Sequence, residues 1–216
     1  MSEGNVRTRL FPAVSPDAPL VAVNGETGEG EALLSAVRGL EDRDFSLLYF
    51  SGFDWDAALS PWPAPAVFPG QAPFSGGGEA YLKWLTEAVE ALPGTPRFLA
   101  LAGYSLAGLL AAWAPFQTPL FSRIASASGS LWYPGFMDFM EKNAPVRAPE
   151  KAYFSLGDRE AWTRNPMLRP VEDYTRAAAE RYKALGSETV FELNAGNHFQ
   201  QPLERLAKAV AWLLAD

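Results

Sequence analysis

Between Arg97 and Arg123 the chain runs for 25 residues, Phe98 to Ser122, without a charged side chain. A run of that kind must leave water, either by crossing a bilayer or by entering a protein core. One membrane helix of about 20 residues would have to hold Gly103, Ser105, Gly108, Pro115, Gln117 and Pro119, and the prolines alone would break its hydrogen-bond ladder. A buried strand over Arg97 to Ala102, a sharp turn at Gly103-Tyr104-Ser105-Leu106-Ala107-Gly108 and a helix ending near Pro115 use the same residues without conflict. Mean hydropathy over the whole chain is −0.07, and its other helical patterns are amphipathic, so no membrane partner is expected.

The remaining sequence alternates short β-like runs with helical periodicity, the pattern of an α/β domain built on a mostly parallel sheet flanked by helices. Leu20 to Val23, Phe45 to Phe50, Ser122 to Ala127, Ala152 to Leu156 and Thr189 to Leu193 read as strands. Leu33 to Leu40, Leu82 to Leu92, Val171 to Leu185 and Leu203 to Leu214 carry apolar residues at helical spacing. With 216 residues, 48% of them hydrophobic, the length fits one domain over 1–216 with a substantial core. Residues 1–19 read as an irregular N-terminal segment. Residues 60–78, with five prolines and four glycines, read as a long loop that Trp62, Phe68 and Phe74 would anchor.

A strand that reverses into a helix within a few residues leaves its turn residue strained and its side chain exposed, which is the layout of a nucleophile elbow at Ser105. The helix behind it offers unpaired amides, so the N–H of Leu106 is expected to stabilise an oxyanion. The chain holds a single histidine, His198, on a polar turn before the closing helix; serine first and histidine late is the order expected of one hydrolase fold. The third member should be a carboxylate on the loop after the Ala152 to Leu156 strand. Asp158 and Glu160 both stand there, and spacing does not choose between them. Glu160 has the longer reach, whereas Asp158, next to Gly157, is also suited to organising the turn. The second oxyanion donor is expected from the loop Asn24-Gly25-Glu26.

Charge and composition exclude other chemistry. A net charge of −7 without basic clusters argues against nucleic acid. The run Gly25 to Gly30 resembles a phosphate loop only superficially, because Glu31-Ala32 stands where Lys and Ser/Thr are required. Asp54 and Asp56 raise a paired-carboxylate glycosidase reading, but two acids so close on a loop are common surface chemistry. One histidine and no cysteine leave few ligands for a metal centre, so no metal or cofactor is expected. The first residues lack an apolar stretch, which makes cytoplasmic residence the default. Asp54, Trp55, Trp62, Tyr104, Trp132 and Trp162 are expected to form the substrate pocket.

Three segments carry a family resemblance: Gly103 to Gly108; Ser155 to Glu160 with Thr163-Arg164-Asn165-Pro166; and Gly196-Asn197-His198-Phe199. From about Val21 onward the chain resembles α/β-hydrolases of the branch holding esterase D-like and ferric-siderophore (enterochelin-type) esterases. The resemblance implies a Gly-x-x-Glu arrangement for the acid, which Gly157 to Glu160 matches. It also implies a near-minimal fold with few early strands. Ala107 departs from the pattern, standing where the last glycine of G-x-S-x-G is found. The expected activity is hydrolysis of a small-molecule ester, siderophore-like or short-acyl; a thioesterase or acyltransferase, or a non-catalytic binding module on the same fold, are the alternatives.

Overall fold

In the computed structural model, which describes residues 6–216, seven strands form one sheet. Of the chain start on which the localisation expectation rests, Met1 to Leu10, residues 1–5 lie outside the described residues. Residues expected to be irregular include an edge strand, β1 (Arg7–Phe11), antiparallel to its neighbour. Its side chains are mostly exposed, so it carries no run of buried apolar residues that sequence reading could find.

The two-residue alternation of the inner strands divides the core in two. After β2 (Leu20–Asn24) come α1 (Gly30–Arg38), β3 (Ser46–Ser51) and a short helix, α2 (Trp55–Ala58). Val21, Val23, Leu47 and Tyr49 face α1, while Leu20, Ala22, Leu48 and Phe50 face the opposite layer. A two-stranded ribbon, β4 (Pro63–Ala64) with β5 (Phe74–Ser75), pins the 60–78 segment ahead of α3 (Gly78–Glu90). Trp62 Nε1 donates to the Pro134 carbonyl at 2.8 Å, and Tyr133 OH donates to the Trp62 carbonyl at 2.6 Å, which anchors this long segment to the body.

The charge-free run becomes β6 (Leu99–Tyr104) and α4 (Leu106–Trp113), the latter buried on every side. Next come β7 (Arg123–Ala127), α5 (Phe136–Lys142), β8 (Lys151–Gly157), α6 (Val171–Ala184), β9 (Glu188–Asn194) and α7 (Pro202–Leu214). The sheet order is β1-β3-β2-β6-β7-β8-β9, and every pair except β1–β3 is parallel. The helices α3, α4 and α6 pack on one face and α1 and α7 on the other. Because the chain winds outward in both directions from β2 and β6, the loops leaving those neighbours diverge, and a crevice opens at their carboxyl ends.

No helix in the described residues is long and apolar enough to cross a membrane.

Candidate active site

Ser105 leaves β6 at that crevice with φ 59° and ψ −124°, a conformation that costs a non-glycine residue about 1–3 kcal/mol. Three backbone hydrogen bonds hold it there. The Ser105 N–H donates to Ala127 O at 3.2 Å, and its carbonyl accepts from Leu109 at 3.1 Å and Ser130 at 2.9 Å. Gly103 makes the approach feasible, since a Cβ there would lie 2.3 Å from the Ala107 carbonyl carbon. Ala107 is fully buried against that glycine, so the methyl group at the departing position is accommodated within the elbow.

His198 reaches the serine from the turn between β9 and α7. Its Nε2 lies 3.1 Å from Ser105 Oγ and its Nδ1 lies 2.7 Å from Glu160 Oε2. With Glu160 ionised, Nδ1–H donates to the carboxylate and Nε2 is left to accept the serine hydroxyl proton. Tyr104 OH donates to the His198 carbonyl at 2.5 Å, fixing the turn from the strand side.

The two acids after β8 take different places. Glu160 folds back so that its Oε1 accepts the Gly157 N–H at 2.7 Å, while its Oε2 faces the imidazole. Glycine at 157 allows this, because a Cβ would meet Gly196 O at 2.4 Å. Asp158 turns the other way: its Oδ1 accepts the Gly196 N–H at 2.8 Å and its own N–H donates to Asn194 O at 2.8 Å, so it ties the histidine turn to β8. Burial alone would raise the Glu160 carboxyl, but the hydrogen bond and charge of His198, the Gly157 amide and the Ser128 hydroxyl outweigh it and hold the pKa below its ordinary value.

Sequence reasoning missed Arg205. From α7, with 2% of its surface exposed, its guanidinium donates to Glu160 Oε1 at 3.1 Å, Ser128 Oγ at 3.1 Å, the Ala195 carbonyl at 3.0 Å and Tyr104 OH at 3.4 Å. A buried arginine in an amphipathic helix is a signal in itself, because so large a cation leaves water only when paired.

The expected oxyanion donors divide. The Leu106 N–H stands at the start of α4, where helix geometry gives it no partner in its own turn. The Gly25 N–H is not free: it donates to Phe50 O at 3.0 Å, continuing the β2–β3 ladder beyond the strand end. Asn24, 1% exposed, accepts Tyr81 OH on Oδ1 at 2.5 Å and leaves Nδ2 with no partner among the described residues. The Gly25 backbone amide is thus taken up by the sheet, and the side-chain N–H groups of Asn24 beside it are buried.

Two cavities meet at Ser105 and His198. One, of about 300 Å³, is walled by Asn24, Glu26, Glu29, Tyr49, Trp55 and Tyr104 among others. The other, of about 440 Å³, is walled chiefly by Trp55, Phe68, Phe74, Leu106, Trp132 and Val171. Phe199 borders both. Trp55, Tyr104 and Trp132 thus stand on cavity walls, but three expected wall residues do not. Asp54 caps α2 by accepting the Ala57 N–H at 3.1 Å, Trp62 is an anchor of the 60–78 segment, and Trp162 is 79% exposed and borders neither cavity.

A mostly parallel sheet flanked on both faces, with an elbow serine after β6 and an imidazole after the last strand, is the α/β-hydrolase fold. No family model matches the chain. It is 24% identical over 167 residues to an uncharacterized protein, YbbA, of Bacillus subtilis (strain 168), a match spanning 71% of this chain and 67% of that one. Among solved structures it is similar to an IroE-like serine hydrolase from Shewanella oneidensis, with TM-score 0.73, 16% identity, and coverage of 96% of this chain and 75% of that one. It is also similar to the siderophore hydrolase EstA of Aspergillus nidulans, with TM-score 0.70, 18% identity, and coverage of 97% and 94%. At these identities the likeness is one of fold.

Proposed function

We propose that this chain is a serine carboxylic-ester hydrolase acting on small-molecule esters through an acyl-enzyme. The observation that carries the reading is the continuous hydrogen-bonded line from Ser105 Oγ through both His198 nitrogens to Glu160, at 3.1 and 2.7 Å. The elbow conformation of Ser105 adds to it, since strain of that kind persists only where the surroundings over-determine it. The names of the solved structures it resembles, a serine hydrolase and a siderophore hydrolase, agree with the same chemistry.

In the first half-reaction Ser105 Oγ attacks the ester carbonyl carbon while its proton passes to His198 Nε2. The carbonyl oxygen becomes an oxyanion held by the Leu106 N–H, with the second donor coming from the Asn24-Gly25-Glu26 loop. Collapse of the tetrahedral intermediate breaks the bond to the alcohol oxygen, which takes the proton from His198. Water repeats the sequence on the acyl-serine and releases the acid. Glu160 keeps Nδ1 protonated and offsets the charge of the imidazolium.

A fluorophosphonate probe tests the reading directly. Labelling is expected at Ser105 in the native protein, with none in Ser105→Ala. Across a panel of esters of graded acyl length, Ser105→Ala and His198→Ala are expected to lower kcat by about 10⁴-fold or more. A folded protein that neither labels nor hydrolyses any ester would instead be a binding module on this fold.

A further inference from the structure

Ser130 stands beside Ser105 and has no part in the steps above. It is reached from β7 through the turn Ser128-Gly129-Ser130, which is built with strain. Ser128 has φ 44°, a left-handed conformation unfavourable for a residue with a Cβ. Gly129 is required next to it, since a Cβ there would collide with Ser126 Oγ. Two backbone hydrogen bonds lock the turn: the Ser128 N–H donates to Ser155 O at 2.8 Å, and the Ser130 N–H donates to Ser105 O at 2.9 Å. Ser130 is thereby tied to the elbow itself.

Its side chain is 1% exposed and borders the larger cavity, and a hydroxyl so deeply buried is normally hydrogen-bonded. The only hydrogen-bond partner of Ser130 Oγ among the described residues is Ser105 Oγ, at 3.4 Å. Ser128 Oγ, by contrast, is taken up by Arg205. Proton count sets the direction of the Ser130 contact. Ser105 gives its one hydroxyl proton to His198 Nε2, so its oxygen accepts and the Ser130 hydroxyl donates. The contact is long for a bond between neutral hydroxyls, which has its usual limit near about 3.0 Å. Such bonds tighten when charge develops on the acceptor.

That charge develops on Ser105 Oγ chiefly in deacylation. In the acyl-enzyme Oγ is an ester oxygen, a weak acceptor. Water adds to the acyl carbon and gives a proton to His198 Nε2; the C–Oγ bond then breaks, its electron pair moves to Oγ, and the imidazolium returns the proton there. In acylation Oγ starts as an alcohol oxygen that already accepts from Ser130, so less is gained between ground and transition states. Resting on the esterase reading above, we propose that Ser130 is a further catalytic residue, whose hydroxyl donates to Ser105 Oγ and assists its departure in deacylation without losing its own proton.

Ser130→Ala removes this donor and deprives no other side chain of a partner. With p-nitrophenyl butyrate, whose good leaving group speeds acylation, kcat is expected to fall about tenfold while kcat/KM, which reports acylation, stays within about threefold. KM falls in step with kcat, and KM does not depend on the fraction of enzyme that is folded. The burst of p-nitrophenolate should grow, and intact-protein mass should show the butyryl adduct accumulating on Ser105. Deacylation is also read by itself: after treatment with p-nitrophenyl dimethylcarbamate and gel filtration, activity should return about tenfold more slowly in the variant than in wild type. A fall in kcat and kcat/KM together with KM unchanged, as a merely structural role would give, would overturn the proposal. So would recovery from the carbamate at the wild-type rate. Wild-type protein without Ser105-dependent turnover would instead overturn the esterase reading, and this assignment with it.

Discussion

Glu160 and Arg205 form an ion pair in which both side chains are almost wholly out of water, 5% and 2% exposed. Removing one partner of such a pair leaves a buried charge uncompensated, so Arg205→Met is expected to lower stability by about 3–5 kcal/mol, read by denaturant unfolding. Arg205→Met/Glu160→Gln should recover much of that loss, because no net charge then remains buried. It should not recover esterase activity, since an amide at 160 cannot offset the imidazolium. If the double variant regained activity along with stability, Glu160 would be a structural residue only. Asp158→Asn gives the contrast: kcat is expected to fall less than about tenfold, against about 10³-fold or more for Glu160→Gln. The sequence brought both acids to the right loop, but not the direction each turns. That depends on Gly157 admitting the back-folded Glu160 and on Asp158 finding the Gly196 amide, two contacts across chain segments with no local signature.

The elbow from β6 into α4 was legible because several local signals agree there: an uncharged run, flanking arginines, and glycines on both sides of one serine. The edge strand β1 and the short helix α2 were not, since neither has a full apolar period to reveal it, and α5 has Phe136, Phe139 and Met140 at helical spacing but spans only seven residues. Within the elbow the contact between Gly103 and Ala107 is mainly one of backbone, the nearest atoms to an added Cβ being the Ala107 carbonyl carbon and oxygen at 2.3 and 2.4 Å. Gly103→Ala is therefore expected to destabilise by about 3 kcal/mol through overpacking. Adding Ala107→Gly should not rescue it, because the obstructing carbonyl remains. Ala107→Gly alone should cost about 1 kcal/mol from helix propensity, measured by thermal unfolding. Rescue in the double variant would mean that side chains, not backbone, set the distance between strand and helix.

For the molecule as a whole, the lowered carboxyl of Glu160 links the site to global stability. A group whose folded pKa lies below its ordinary 4.5 binds its proton more weakly in the folded state. Its contribution is complete above the ordinary value and is lost as pH falls through the lowered one. Wild type should accordingly be more stable than Glu160→Gln near neutrality, with the gap closing on acidification below that value, as followed by urea midpoints. A gap independent of pH would assign the difference to packing alone. The alternating order of strands and helices conveyed the doubly covered sheet in advance, whereas the walls of the two cavities depend on which loops meet over the crevice and are visible only in three dimensions. The position of Arg205 on α7 has a consequence for biosynthesis. A chain emerging from the ribosome exposes Ser105 long before Arg205 exists, and until α7 docks, Glu160 lacks its cation and the histidine turn lacks the clamp on Ala195. The nascent polypeptide thus carries the serine proposed as nucleophile in an unassembled form, until synthesis has passed the residues that complete the site.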